Sequence, residues 1–210
     1  MNINPKKTNE PTHIALHSQE IVRIFESKSD CEIWAAFNKG DEMAFNYLYR
    51  IYAPILYQYG FQFSRDSSLI QDSIQNIFIY LRSKRGELSE VANIKSYLFK
   101  SIQREIIKNL KAITKREQIN SGALEDSFLI EISPETSFIQ NETKSLRLTK
   151  LQNGIDQLTY KQRKALLLFY HEELGYNEIA QIMDFKEVKT ARKLIYRAII
   201  SLKEFIKPAR

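Results

Sequence analysis

The sequence predicts an all-α chain of two small helical domains joined by a flexible acidic linker. Three observations carry that prediction. Helix breakers are scarce, with 6 Gly and 5 Pro in 210 residues, most of them outside the apolar-periodic stretches; such scarcity favours helices over a turn-rich β fold. Apolar residues recur at spacings of three and four in two separate blocks, as one face of a helix requires. Between the blocks, over 114–150, the periodicity lapses. There Glu117, Glu125, Asp126, Glu131, Glu135 and Glu142 occur with no Lys, Arg or His among them, the composition of a solvated tether.

Taken in order, residues 1–30 read as a loose arm with one helical turn near the apolar patch Ile21-Val22-Arg23-Ile24-Phe25. The first domain spans 31–113. Its pattern turns helical at Glu32, and Phe45, Leu48, Tyr52, Leu56 and Tyr59 share one face; Pro54 predicts a kink or a break in it. A second helix over 68–82 turns Ile70, Ile74, Ile77, Phe78 and Leu81 inward. A third, over 93–113, does the same with Ile94, Leu98, Ile102, Ile106, Leu110 and Ile113. Between these two lies a charged loop. The second domain, 151–210, opens with a core helix over 160–173 that is apolar nearly all round at 166–170, and Gly175 is placed to end it with a positive φ.

Charge and cysteine content bound the function. The chain carries a formal +6, with 11 basic and 8 acidic residues over 31–113 and 11 basic and 7 acidic over 154–210. Two weakly basic blocks flanking an acidic join suit nucleic acid without proving it. Cys31 is the one cysteine, which excludes an intramolecular disulfide framework and a multi-cysteine zinc site and fits a reducing cytoplasm. No signal-peptide pattern or membrane-length apolar run appears, so no membrane insertion is expected. No cofactor is expected either. His13, His17 and His171 have no metal-ligand spacing, and no phosphate loop, nucleophile elbow or carboxylate pair is present.

The most informative stretch is 176–205. Ile179, Ala180, Ile182 and Met183 make a short apolar face, and Asp184-Phe185-Lys186-Glu187 breaks it. Val188, Ala191, Ile195, Ala198, Leu202 and Phe205 then form a longer one. Short helix, turn and longer helix make a helix-turn-helix. The outer face of the longer helix carries Lys189, Thr190, Arg192, Lys193, Tyr196 and Arg197, residue types that reach phosphates and base edges in a major groove. In the first domain, Lys100, Arg104, Lys108 and Lys111 form a basic stripe on the third helix; such a stripe tracks a phosphate backbone or is simply solvated. Tyr97 and Phe99 could stack on unpaired bases or belong to the core. On the second helix Asp72, Gln75, Asn76 and Ile79 face away from the core, a candidate protein-contact patch.

Residues 33–52, the string Asp72-Ser-Ile-Gln75-Asn-Ile-Phe78, and the sequence Leu158-Thr-Tyr-Lys-Gln-Arg163, Glu178-Ile-Ala180, Ala191-Arg-Lys-Leu-Ile-Tyr-Arg-Ala198 together resemble sigma factors of the extracytoplasmic-function (ECF) group of the sigma-70 family, in a form associated with Bacteroidetes-type members. The resemblance implies a non-enzymatic protein that binds core RNA polymerase and directs promoter-specific initiation. The first domain would be a region 2-like bundle and the second a region 4-like helix-turn-helix. Asp72, Gln75, Asn76 and Ile79 would dock on the β′ clamp helices, and the second domain on the β flap. Arg85 and Lys95 of the loop 83–95, with Tyr97, Lys100, Arg104 and Lys108, would capture the unwound minus-ten element. Lys189, Thr190, Arg192, Lys193, Tyr196 and Arg197 would read the minus-thirty-five duplex. The acidic linker would thread toward the polymerase cleft, and an anti-sigma factor is a possible partner. The chain departs from the pattern at Asn76, where an acid is common, at Glu105 for Asn, at Tyr97 for Trp, and at Gly175 for a capping Ser or Thr. The alternative is a helix-turn-helix repressor or activator that acts without recruiting polymerase.

Overall fold

The computed structural model describes residues 22–116 and 142–206, and the side chains of 22–113 and 148–206. Every regular element among the described residues is a helix. Most of the arm and the linker segment 117–141 lie outside them.

Local chemistry sets the helix starts. Residues 22–26 form a helical turn that buries Phe25, whose ring lies 5.3 Å from that of Tyr47. Helix α1 (Asp30–Asn38) opens with a capping box: Ser29 Oγ accepts the Glu32 N–H, and the Glu32 carboxylate accepts the Ser29 N–H at 2.8 Å. Helix α2 (Glu42–Gly60) is capped by Asp41, which accepts from Met43 N at 2.7 Å. Gly40, at φ 96°, makes the reversal between them, a conformation glycine adopts without steric cost. Asp66 caps α3 (Ser67–Ser83) in the same way. Helix α4 (Ile94–Arg116) begins where Asp30 Oδ2 accepts the Ile94 N–H and Asn93 Oδ1 accepts the Ser96 N–H, each at 2.7 Å.

The second block starts with α5 (Glu142–Asp156) and α6 (Tyr160–Leu166), the latter entered through a Thr159–Gln162 capping box. A π-helical turn, Leu167–His171, prolongs α6. Helix α7 (Tyr176–Ile182) and helix α8 (Val188–Ile206) form the helix-turn-helix, with α8 packed on α5, α6 and α7.

In the first block α3 and α4 pack together and both lie against α2. Gly60 makes that approach possible, since a Cβ there would meet Ile70 Cγ2 at 2.6 Å. Tyr59 stacks on Phe99 at 4.3 Å between ring centroids, so Phe99 is core rather than a stacking surface for bases. The two blocks also touch: α7 packs against α4, and one apolar cluster runs from Phe25 to Ala198.

Several sequence expectations change. Pro54 neither breaks nor ends α2; it sits on the exposed side of a continuous helix whose opposite face buries Leu48, Leu56 and Tyr59, and that burial outweighs the lost hydrogen bond. The single helix read from Glu32 is two, divided at Gly40. Gly175 has φ −71° and precedes α7 without a side-chain cap, whereas the positive φ that follows the π turn belongs to Glu173, at 55°. The linker is shorter than 114–150, because 114–116 continue α4 and 142–150 belong to α5. Ile113, Val188 and Phe205, expected inside, are exposed at helix ends.

Candidate nucleic-acid interface

The polar face of α3 forms as its spacing requires. Asp72, Gln75, Asn76 and Ile79 are all exposed, and Ile79 keeps 65% of its surface open. Asn76 Nδ2 donates to Glu105 Oε1 at 3.4 Å, which ties this face to the adjoining side of α4. Beneath it, Ser73 accepts from Asn109 Nδ2 at 3.1 Å and donates to the Leu69 carbonyl, so the patch stands on a satisfied polar seam.

Between α3 and α4 lies a cleft of about 630 Å³ lined by Asn76, Tyr80, Tyr97, Ser101, Arg104 and Lys108. Tyr97 is half-buried, edge-on to Trp34 at 5.1 Å, and burial pushes its hydroxyl pKa up. Tyr80 is 54% exposed on the opposite wall. Two tyrosines and two cations around one cleft can stack a base and hold its phosphate. Tyr80 and Ser101 were not read from the sequence. Tyr80 lies four residues after Asn76, on the same side of α3, which is the one signal that pointed to it.

The loop between α3 and α4 is tied down by α1. Trp34 Nε1 donates to the Ser89 carbonyl at 2.9 Å, Asn38 Nδ2 donates to the Leu88 carbonyl at 3.0 Å, and Gly86 N–H donates to Asn38 Oδ1 at 2.7 Å. Arg85, singled out as a DNA contact, is turned inward. Its side chain is 16% exposed, Nη1 meets Glu42 Oε1 at 2.6 Å, and the guanidinium lies 5.1 Å from the rings of both Phe37 and Phe45. The Arg85 hydrogen bond holds the Glu42 carboxyl below its ordinary pKa. Arg85 Nε and Nη2 are buried without hydrogen-bond partners; the two aromatic faces provide their electrostatic compensation.

Lys95, Lys100 and Arg104 of α4 meet the second block. Lys95 Nζ lies 2.9 Å from Glu172 Oε2 and donates to the Glu172 carbonyl at 2.7 Å. Lys100 Nζ donates to Asp184 Oδ1 at 2.5 Å, and Arg104 Nη2 lies 3.6 Å from the same oxygen. That hydrogen bond keeps Asp184 below its ordinary pKa. Lys164 of α6 is buried and donates to Gln103 Oε1. Desolvation pushes its pKa down to about 7, with Asp184 opposing the shift and Lys100 adding to it. Lys108 faces solvent beside Glu105, at 3.2 Å.

On α8 the pattern is realised without such covering. Lys189, Thr190, Arg192, Lys193, Tyr196 and Arg197 are exposed, while Ala191, Ile195 and Ala198 are buried. The Arg192 guanidinium lies 5.1 Å from the Tyr176 ring, which places it over the start of α7. Among the described residues no group of His, Cys, Asp and Glu could hold a metal ion, and no helix is long and apolar enough to cross a membrane.

Comparison with known proteins matches these elements. The family model described as Sigma-70, region 4 matches residues 148–202, from within α5 into α8. ECF RNA polymerase sigma factor SigM of Bacillus subtilis (strain 168) is 23% identical over 164 residues, covering 77% of this chain and 94% of that protein. Among solved structures, CnrH in complex with the cytosolic domain of CnrY aligns with a TM-score of 0.54 at 15% identity, over 84% of this chain and 96% of its own. The sigma factor RpoE in complex with the anti-sigma factor NepR from Bartonella quintana aligns with a TM-score of 0.53 at 20% identity, over 79% of this chain and 98% of its own.

Proposed function

We infer that the chain is an ECF sigma factor that binds core RNA polymerase and directs promoter-specific transcription initiation. The observation that carries this is the joint presence, in one chain, of an exposed polar face on α3, an aromatic and basic cleft beside α4, and a helix-turn-helix with a basic outer face. An isolated helix-turn-helix regulator would need only the last. The match to SigM spans both blocks, which counts against a regulator that acts without polymerase.

The finer assignments are those the resemblance implies, weighed against the exposure and pairing of each side chain. Asp72, Gln75, Asn76 and Ile79 dock on the β′ clamp helices, an apolar side chain ringed by polar groups being suited to a protein surface. The second block meets the β flap. Tyr97, Lys108 and the α3–α4 cleft take the unwound minus-ten strand, joined by Lys95, Lys100 and Arg104 once those cations are released. Arg85 supports this face from beneath and leaves the set of DNA contacts. Lys189, Thr190, Arg192, Lys193, Tyr196 and Arg197 read the minus-thirty-five duplex, with Arg and Lys reaching guanine edges or phosphates. The chain contributes binding and orientation and performs no catalytic step. An anti-sigma factor is a natural partner, since the solved RpoE is held in a complex with the anti-sigma factor NepR. A Bacteroidetes-type affiliation rests on the motifs of 158–198, and a cytoplasmic location follows from the role.

Run-off transcription tests the reading. Purified chain added to cognate core polymerase and genomic templates is expected to yield discrete new transcripts. Their absence, together with no core complex on gel filtration, overturns it.

A further inference from the structure

Helix α1 carries a polar stripe that lies outside the assigned DNA contacts. Asp30, Trp34 and Asn38 recur at a spacing of four, so they fall on one side of the helix. All three direct polar atoms at the backbone between α3 and α4. Asp30 Oδ2 accepts the Ile94 N–H at 2.7 Å. Trp34 Nε1 donates to the Ser89 carbonyl at 2.9 Å. Asn38 Nδ2 donates to the Leu88 carbonyl at 3.0 Å, and Asn38 Oδ1 accepts the Gly86 N–H at 2.7 Å. Along α1 the partners run backwards through the loop, from Ile94 to Gly86.

The helix is the fixed side of this contact. Its start is held by the Ser29–Glu32 capping box, and Ile33, Trp34 and Phe37 are buried. The loop is the side that needs fixing. No helix or strand covers 84–93, and Gly86 makes a reversal at φ 81°. An irregular segment populates many backbone states unless contacts from outside select one. Asn38 is suited to select, since its amide both donates and accepts, as a peptide group does, and it bridges two loop residues. With the backbone held, the side chains of Ser89, Glu90 and Ala92 are left exposed. Trp34 also reaches the cleft, where its ring meets that of Tyr97 edge-on at 5.1 Å. One residue of α1 therefore fixes a loop carbonyl and a cleft aromatic together.

We propose that Asp30, Trp34 and Asn38 are positioning residues for strand capture. They set the loop and Tyr97 in one frame before the minus-ten strand arrives. The base preference of initiation then depends on a helix that is not itself among the DNA contacts. A preformed frame discriminates, because a wrong base meets groups that do not shift to suit it. This rests on the assignment of the loop and the adjoining cleft to the unwound strand.

The test uses holoenzyme, the full-length chain with cognate core polymerase, on a promoter recovered by run-off from genomic templates. Single-base changes are made at each position of its minus-ten and minus-thirty-five elements, and competitive run-off ranks them. Asn38→Leu keeps a similar side-chain size and removes both hydrogen bonds. The ratio of best to worst base within the minus-ten element should fall about fivefold, the scale of one or two hydrogen bonds. Asn38→Asp retains only the acceptor for Gly86 and should give an intermediate fall. Trp34→Phe keeps a ring but loses the indole N–H, and the ratio should fall about twofold. These two variants also carry the test should Asn38→Leu misfold. Minus-thirty-five preferences should stay at wild-type values throughout. Ile70→Val, a core change on α3, lowers stability without touching the loop and should leave every preference unchanged. Unaltered minus-ten preferences in the Asn38 and Trp34 variants, or an equal narrowing in Ile70→Val or at minus-thirty-five, overturn the proposal. Wild type separates this from the functional reading. Without a wild-type transcript the sigma reading fails and this proposal with it, whereas a wild-type transcript with unchanged variant preferences sinks the positioning role alone.

Discussion

The basic faces of α4 and α8 are made of the same residue types at the same helical spacing, yet they are presented differently. On α8, Lys189, Arg192, Lys193 and Arg197 stand open to solvent. On α4, Lys95, Lys100 and Arg104 lie against carboxylates more than seventy residues away in sequence. A helical stripe of lysine and arginine therefore states where charge is, and only the tertiary contacts state whether it is available. The two faces also differ in what surrounds them. The α4 face borders a cleft with Tyr80 and Tyr97, suited to splayed bases, whereas α8 is a convex rod suited to a groove.

The largest expected effect sharpens this contrast. Lys193→Ala with Arg197→Ala should lower promoter-dependent run-off by at least about 30-fold, since each direct contact contributes about 1–3 kcal/mol and two are removed. Core binding on gel filtration should be retained; its loss would break the division between the two faces. Next is Arg85→Ala. If Arg85 is structural, the variant loses about 2 kcal/mol of stability, from two cation–π contacts and a partly buried ion pair, measured by urea unfolding. Weakened oligonucleotide binding at wild-type stability would return Arg85 to the DNA-contact set.

Lys164 gives a smaller effect with a defined sign. Its pKa in the folded chain is about 7, against an ordinary value of 10.5, so between these values the unfolded chain binds more protons than the folded one. Stability then rises with pH across that window, and at or below neutrality the cost of burying the charge is fully present. The slope is at most about 1.4 kcal/mol per pH unit. Lys164→Met should flatten it between pH 7.5 and 9 in urea titrations; an unaltered slope would show that Lys164 is not the titrating group. The smallest effect belongs to Lys108→Ala, which should reduce the salt dependence of single-strand binding by roughly 0.7 in log–log slope. A null result would leave the cleft without a contribution from its most exposed cation.

Much of this fold was legible because helices announce themselves through period and caps. The inward faces of α3 and α4, the helix-turn-helix and the open face of α8 follow from spacing alone. The division at Gly40 was encoded as well, in Gly40-Asp41 and in the Ser29–Glu32 box, but an apolar rhythm that resumed on both sides masked it. The break that Pro54 allowed does not occur, because its cost is local and the burial that outweighs it is tertiary. The loop position of Arg85 suggested exposure; Phe37 and Phe45, which cover it, are distant in sequence. The pairing of Lys100 with Asp184 had no sequence signal, since nothing in helical periodicity says which two faces will meet.

Trp34 is the one tryptophan in the chain. Its indole N–H holds the Ser89 carbonyl, and its ring abuts that of Tyr97. The fluorescence of the whole protein therefore originates largely beside the loop and the cleft assigned to melted DNA. A shift in its emission on adding an oligonucleotide would register rearrangement at that place without any label, and its lifetime could time the event against polymerase binding. The residue that anchors the loop is thus also a built-in optical probe of the adjoining cleft.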